Sequence, residues 1–196
     1  ETEGTEAAKA LNQKEIGIRY AKTLGKKYEE MNLIICHIGG GISVTAHRRG
    51  KMIDSNDIAQ GDGPMAPTRC GALPVKDVVK MCFSGKFTER QMYDKITKTG
   101  GLVDHLGTSD ARDVCKMIDE GSQYAKLIYD AMIYQIAKQA GAMAAALEGE
   151  VDGIILTGGI SYDKYVDEEL TRKLKFIAPV TVMAGEFEME ALAAGA

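Results

Sequence analysis

Cysteine and histidine are scarce in this chain of 196 residues, which has four of the first and three of the second. Cys36, Cys70, Cys82 and Cys115 form no Cys-x-x-Cys pair and lie at no close spacing from His37, His47 or His105, which leaves a zinc site without support. Cys36 and Cys82 sit in apolar stretches, where a free thiol acts as a small hydrophobe; four reduced cysteines fit a reducing cytoplasm. Positive charge is not in excess either, since 24 Lys and Arg stand against 28 Asp and Glu for a net charge of −4. A nucleic-acid footprint needs a basic patch, and the one candidate, His47-Arg48-Arg49-Gly50-Lys51, reads as a solvated turn. Long apolar runs are missing: 142–147 is among the longest, far too short to cross a bilayer. The opening Glu1-Thr2-Glu3-Gly4-Thr5-Glu6 is acidic, the opposite of a secretory n-region, so nothing is expected to direct the chain outward. No linker composition interrupts the chain, which predicts a single domain at 32–196 behind a tail and helix at 1–31.

What is present suits a globular fold. With 45% hydrophobic and 27% charged residues, a chain of this size buries roughly 70% of its unfolded surface and needs no metal or disulfide staple. Residues 1–8 are poor in bulky apolar groups and read as frayed; 11–31 reads as a helix interrupted or ended near Gly25. Three short strands follow, at 32–38, 42–47 and 51–54, the first stopped by Gly39-Gly40-Gly41 and the last two joined across Arg49-Gly50. Glycine and proline from Ser55 to Pro74 exclude regular structure, and a loop of that length in a compact domain is usually functional or disordered. Helices are predicted over 75–84, 89–97 behind the Thr88-x-x-Gln91 capping box, 110–120 and 123–147. A strand at 151–157 breaks on Gly158-Gly159, and a helix at 163–173, a strand at 180–183 and an acidic helix at 186–194 complete the order. Three meandering strands followed by alternating α and β elements resemble the ribonuclease-H-like, actin-like ATPase arrangement: an α/β domain with a five-stranded mixed sheet and helices on both faces.

The sharpest internal signal is an echo. Gly40-Gly41-Ile42-Ser43 and Gly158-Gly159-Ile160-Ser161 each follow a buried strand. Glycine lets backbone N–H groups converge on an anion with no Cβ in the way, and a helix start beyond the second loop adds a positive dipole end, so two such loops suit one nucleotide; glycines that simply turn the chain are the plainer alternative. Ser84-Gly85-Lys86-Phe87-Thr88 fails as a Walker A motif because Lys80 stands where a glycine is needed and a helix precedes it. Arg69, in the long loop, is placed to clamp a phosphoryl group or to lie idle on the surface. Asp110 and Arg112 open a helix, where Asp110 alternatively serves as a favourable first-turn acid. Glu186 and Glu188, at a strand-loop-helix junction, suit Mg²⁺ or merely a helix dipole. His37 ends a buried strand, a position that suits a core histidine as well as a reactive one.

At these residues the chain resembles the acetate and butyrate kinase family of ATP-dependent carboxylate kinases, over most of its length from Ala10 to Ala194. The segment His37-Ile38-Gly39-Gly40-Gly41-Ile42-Ser43 resembles the family's phosphate-binding loop and Leu156-Thr157-Gly158-Gly159-Ile160 its adenosine loop. Ser109-Asp110-Ala111-Arg112-Asp113 is similar to the segment whose Asp and Arg contact the nucleotide, and Thr68-Arg69-Cys70-Gly71 to the one carrying the arginine that stabilises the phosphoryl group in flight. Gly40, Gly158 and Ala10-Leu11-Asn12-Gln13-Lys14 lean toward the butyrate side, although Lys9 stands where the family usually has His. The resemblance implies transfer of the ATP γ-phosphoryl group to a short-chain carboxylate, giving an acyl phosphate and ADP. Arg69 and His37 would be catalytic, Gly39, Gly40, Gly41, Asp110, Arg112, Gly158 and Gly159 would hold the nucleotide, and Mg²⁺ would sit near Glu188. It also implies that the chain corresponds to a C-terminal, nucleotide-binding half lacking the domain that completes the carboxylate pocket, and that it forms a homodimer. The competing expectation is an isolated nucleotide-binding and dimerisation domain without catalysis of its own.

Overall fold

The computed structural model describes residues 2–183, with side chains from Asn12 onward. Glu188 and the helix expected at 186–194 lie outside the described residues. The described chain divides into two compact units, both discontinuous in sequence: one takes residues up to Ile38, then Ser43–Asn56 and the chain from Ala137 on; the other takes Gly39–Ile42 and Asp57–Ile136.

The first unit is built on a five-stranded mixed sheet in the order β3-β2-β1-β4-β5. Its strands are β1 (Asn32–Ile38), β2 (Ile42–Arg48), β3 (Lys51–Ser55), β4 (Gly153–Thr157) and β5 (Val180–Val182). A three-residue link is too short for a crossover, so β1 and β2 run antiparallel, as β2 and β3 do across Arg49-Gly50. β4 pairs parallel with β1, setting Leu33 opposite Gly153 and His37 opposite Thr157, and β5 adds parallel to β4. Helix α1 (Thr2–Thr23) supplies Ile16, Tyr20 and Ala21 to a core cluster with Tyr28, Met31, Leu33, Ile35 and Ile155. By strand alternation Ile34, Cys36, Ile154 and Leu156 point to the opposite face, and they are buried too, which explains why β1 and β4 read as continuous apolar runs. Burial pushes the Cys36 thiol up to about 12, so it behaves as an inert apolar group.

In the N-terminal stretch the expected start of the helix is corrected, while its expected end near Gly25 is met. The helix begins at Thr2, not near Leu11, because 2–10 is rich in alanine and glutamate and lacks proline. It ends at Thr23, whose hydroxyl donates to the Tyr20 carbonyl, and a separate 3₁₀ turn at Tyr28–Glu30 leads into β1.

His47 is no surface cation. It is fully buried in β2, and desolvation lowers its pKa to about 4. Its neighbours form a line of hydrogen bonds: Tyr28 Oη to His47 Nδ1 at 2.5 Å, His47 Nε2 to Thr45 Oγ1 at 2.8 Å, Thr45 Oγ1 to Gln13 Oε1, and Gln13 Nε2 to Ser43 Oγ at 2.6 Å. The amide of Gln13 fixes the direction. Because its Oε1 only accepts, Thr45 donates there and accepts from His47 Nε2–H, which leaves Nδ1 to accept from Tyr28. A neutral imidazole with its proton on Nε2 satisfies every member.

The second unit carries α2 (Val75–Cys82), α3 (Glu89–Thr97), α4 (Leu102–Leu106) and α5 (Ala111–Asp119), and α6 (Gln123–Ala146) begins in it. Thr88 caps α3 through the expected box, its hydroxyl taking the Gln91 N–H while the Gln91 side chain takes the Thr88 N–H. The segment read as a loop at 55–74 is far from slack. Ala66 N–H donates to the Arg69 carbonyl at 3.0 Å, Cys70 N–H to Ile96 at 3.1 Å, Gly100 N–H to Thr68 at 3.1 Å and Val103 N–H to Pro67 at 3.0 Å. Met65 N–H donates to the Gln135 side chain of α6 at 2.8 Å. Gly101 makes this knitting possible: with φ +61° and the Ala66 carbonyl oxygen 1.7 Å from where a Cβ would stand, the position accepts only hydrogen.

Candidate active site

In the chain, strands β1 and β4 are each followed by a turn rich in glycine. The first, Gly39-Gly40-Gly41, belongs to the second unit and is closed by the Gly39 N–H on the Gly41 carbonyl at 3.2 Å. The Gly40 carbonyl accepts twice from Thr68, from the N–H at 3.3 Å and from Oγ1 at 3.1 Å. Arg69, the next residue, lies against the same turn. A Cβ on Gly41 would stand 3.3 Å from its Cζ and Nε, so the guanidinium occupies the space that a side chain larger than a methyl group would claim there. Nη1 of Arg69 donates to the Ile58 carbonyl at 2.7 Å, while the buried Nε has no partner. Burial lowers the Arg69 pKa, yet a guanidinium stays charged, so the turn carries a fixed cation. Structure thus joins Arg69 to Gly39, Gly40 and Gly41 in one unit.

Ile58 holds its carbonyl in place because its own turn is closed on itself. Asp62 N–H donates to the Asp57 carbonyl at 3.0 Å, and the Asp57 carboxylate takes the Ala59 and Gln60 N–H groups at 3.0 and 3.2 Å.

Asp110 and Arg112 also lie in the second unit, at the exposed start of α5. Asp110 is the N-cap, one residue ahead of the expected first-turn position, and accepts the Arg112 N–H at 2.9 Å. The Arg112 guanidinium then folds back, Nη2 reaching Oδ2 at 2.5 Å and Nε reaching both carboxylate oxygens at 3.0 and 3.1 Å. These bonds from the Arg112 side chain and backbone hold Asp110 down at about 2. The pair presents a planar cation-anion edge to solvent.

In the first unit, Gly158 ends β4 with φ +92°, and a Cβ on it would meet the Ile38 carbonyl oxygen at 2.6 Å; only glycine fits. Its carbonyl accepts from Ser161, through N–H at 3.2 Å and Oγ at 2.6 Å, inside a 3₁₀ turn at Gly159–Tyr162. His37 is half-buried at the end of β1, paired in register with Thr157. One expectation fails. The helix beyond the second loop, α7 (Lys164–Leu174), does not aim a bare N-terminus at the glycines, because the 3₁₀ turn intervenes and the Asp163 carboxylate already takes the Tyr165 N–H at 2.9 Å. Asp167 in its first turn adds more negative charge; burial, then Asp163, pushes its carboxyl up to about 6.

Among the described residues no group of three or more His, Cys, Asp or Glu is placed to hold a metal ion. A magnesium ion bound chiefly by phosphate oxygens needs only one or two carboxylates from protein, and Glu188, proposed for that role, is outside the described residues. No helix among them is long and apolar enough to cross a membrane.

A model of the acetokinase family matches residues 12–182, a span that contains both glycine turns, Arg69, Asp110 and Arg112. The chain belongs to the acetokinase family. It is 50% identical over 184 residues to a probable butyrate kinase of Bacteroides thetaiotaomicron, covering 94% of this chain and 52% of that protein. It is likewise 50% identical over 186 residues to butyrate kinase 2 of Clostridium acetobutylicum, covering 95% and 52%. This acetokinase-family chain therefore spans about half the length of the curated relatives it matches. Its fold is that of the acetate kinase of Porphyromonas gingivalis, with a TM-score of 0.86 at 24% identity over 94% of this chain and 53% of that one. A propionate kinase of Francisella tularensis superposes with a TM-score of 0.82 at 22% identity, over 92% and 52%.

Three features of the site have weak sequence signals. Thr68 carries a hydroxyl that any loop threonine carries, and nothing in its neighbourhood points to Gly40, 28 residues away. Ile58 braces Arg69 through its backbone carbonyl, a group that every residue carries. Gly100-Gly101 is legible as a doublet after a helix, yet which backbone it admits is visible only in the fold.

Proposed function

We propose that this chain is the nucleotide-binding half of a carboxylate kinase of the butyrate type, transferring the γ-phosphoryl group of ATP to a short-chain carboxylate. One observation carries the reading: a charged arginine, half-buried and braced by Ile58, lies against a glycine turn whose Gly40 position opens onto space. In the reaction a carboxylate oxygen of the acid attacks Pγ in line while the bond from Pγ to the β,γ-bridging oxygen breaks, releasing ADP and an acyl phosphate. Such chemistry depends on positioning and on neutralising charge at the transferring group, not on proton transfer.

The Gly39–41 turn cradles the phosphates and Arg69 neutralises charge on the phosphoryl group as it moves. His37, at the carboxyl end of β1, is assigned to the same group. Asp110, Arg112, Gly158 and Gly159 hold the nucleoside. A magnesium ion, when bound, neutralises the phosphate oxygens, with Glu188 as its protein carboxylate. Cytoplasmic residence and a homodimer belong to the same reading. A second reading is a nucleotide-binding and dimerisation domain without turnover.

Calorimetry with Mg-ATP and Mg-ADP tests the first step, with Gly40→Val as control. A Cβ at Gly40 meets nothing within 4 Å, so the fold tolerates valine while its methyl groups fill the space beside the turn. Binding in the wild type and its loss in the variant support the reading; no binding to the wild-type chain removes it. Acyl-phosphate formation, assayed with and without a supplied N-terminal half of a butyrate kinase, then separates the catalytic from the binding-only reading.

A further inference from the structure

The two glycine turns share a device that their sequence echo hides. In each, one glycine carbonyl is held by both the N–H and the hydroxyl of a single residue: Gly158 by Ser161 and Gly40 by Thr68. In the second turn the holding residue is the serine of the Gly-Gly-Ile-Ser motif itself. The corresponding serine of the first, Ser43, is engaged elsewhere, taking the Gln13 side chain at 2.6 Å. Its place is filled from another part of the chain by Thr68.

A trans peptide is planar, with its C=O and N–H pointing in opposite directions. No cis peptide occurs among the described residues. Holding the Gly40 carbonyl therefore orients the Gly41 N–H the other way, and holding the Gly158 carbonyl does the same for Gly159. Among the described residues the Gly41 N–H has no partner. We infer that Thr68 is a positioning residue for the phosphate-binding turn: by fixing the Gly40 carbonyl it aims the Gly41 N–H at an anionic oxygen of the nucleotide before the nucleotide arrives. Thr68 touches no phosphate in this role. It also couples the turn to the cation, since Thr68 and Arg69 are consecutive and their backbone is pinned by Gly100 N–H on the Thr68 carbonyl and Ala66 N–H on the Arg69 carbonyl.

The inference rests on the nucleotide-binding reading above, and the test separates the two. Thr68→Val keeps the side-chain volume and the backbone bond but removes the hydroxyl; Thr68→Ser restores the hydroxyl. Mg-ADP and adenosine are titrated separately into the whole chain and into both variants, and Gly41 is followed by its amide resonance. The expected result is Mg-ADP affinity ~5-fold weaker in Thr68→Val, the scale of one modest hydrogen bond, and wild-type affinity in Thr68→Ser. Adenosine affinity and melting temperature should stay unchanged in all three. The Gly41 amide shift induced by Mg-ADP should shrink only in the valine variant. Equal Mg-ADP binding by Thr68→Val and wild type overturns the inference and leaves the functional reading intact, as does an equal loss for adenosine. Failure of the wild-type chain to bind Mg-ADP overturns both. Should Thr68→Val melt lower, Thr68→Ala is titrated in its place, and retained Mg-ADP affinity there is equally decisive against the inference.

Discussion

Arg69 lies against the bare Cα of Gly41, so close that a Cβ there would stand 3.3 Å from its Cζ and Nε and 3.0 Å from the Ile58 Cγ2. Alanine is accommodated by small movements of two side-chain ends, whereas the branches of valine have to displace the guanidinium. Gly41→Ala should therefore turn over close to wild type and Gly41→Val at least ~10-fold more slowly, since misplacement of a charge by about an ångström has costs of that order. The measurement is kcat for acyl-phosphate formation in the presence of a supplied N-terminal half. Equal rates for the two variants would remove Arg69 from the reaction.

Arg69→Ala makes the complementary case. Because Arg69 is assigned to the group in flight and not to the nucleoside, its removal should lower kcat by orders of magnitude while Mg-ATP affinity changes less than ~3-fold. A parallel fall in both would reassign it to nucleotide binding.

Asp110 does two jobs that substitution can separate. Asparagine is as good an N-cap as aspartate, so Asp110→Asn should leave the melting temperature unchanged while releasing the Arg112 guanidinium. Nucleotide affinity should then fall several-fold. Asp110→Ala should show the same loss of affinity and in addition a destabilisation of about 1 kcal/mol from the missing cap. Unchanged affinity in Asp110→Asn would confine the residue to capping.

The buried His47 gives the fold a pH dependence with a definite sign. Its pKa is lowered to about 4 in the folded chain from 6.5, so between those values the unfolded chain binds more protons and stability falls as pH falls. The contribution is complete above pH 6.5 and is lost progressively toward pH 4, with an upper size on the order of 3 kcal/mol. Asp167 has the opposite sign, because burial raises its carboxyl to about 6 and protonation favours the folded state below that value. Asp167→Asn should consequently stabilise the chain by about 1 kcal/mol at pH 7 and not at all below pH 4, and should steepen the acid-side loss that His47 causes. Chemical denaturation across pH 4–8 checks both; a flat profile in the variant excludes His47 as its origin.

Gly158→Ala should be among the most damaging single changes in the first unit. It imposes a Cβ on a residue at φ +92° and drives that atom to 2.6 Å from the Ile38 carbonyl oxygen. A loss of about 3 kcal/mol or more is expected, read as a lower midpoint in urea. A variant as stable as wild type would show that the turn relaxes without cost.

Much of the fold was legible because it follows from short-range rules. The helix at 89–97 lies where its capping box put it, and the strand at 32–38 lies where expected because an unbroken apolar run announces a strand buried on both faces; the strand expected at 180–183 is found at Val180–Val182 although it is only half-buried. The five residues of α4 escaped notice; at that length no periodicity can show. His47 was misread because the turn Arg49-Gly50 between Arg48 and Lys51 looks solvated, while its partners Tyr28 and Gln13 lie 19 and 34 positions away. The division into two units was not read from composition, since the chain passes between them four times, at the end of β1, at the start of β2, just after β3 and within α6. At the site, the glycines and Arg69 were visible as residue types. Thr68 and Ile58 were not: Ile58 braces Arg69 through a carbonyl that every residue possesses, and the Thr68 hydroxyl meets Gly40, 28 positions away, only in the fold.

The tight approach at Gly101 bears on how such a protein can fail. Gly101 carries no charge, nucleophile or ligand atom, yet the bonds that fix the Arg69 backbone exist only while nothing larger than hydrogen faces the Ala66 carbonyl there. A single methyl group at this position would leave every reactive group in the chain intact and still unseat the arginine. Inherited damage of that kind would read, in a gene, as a harmless change in a distant loop.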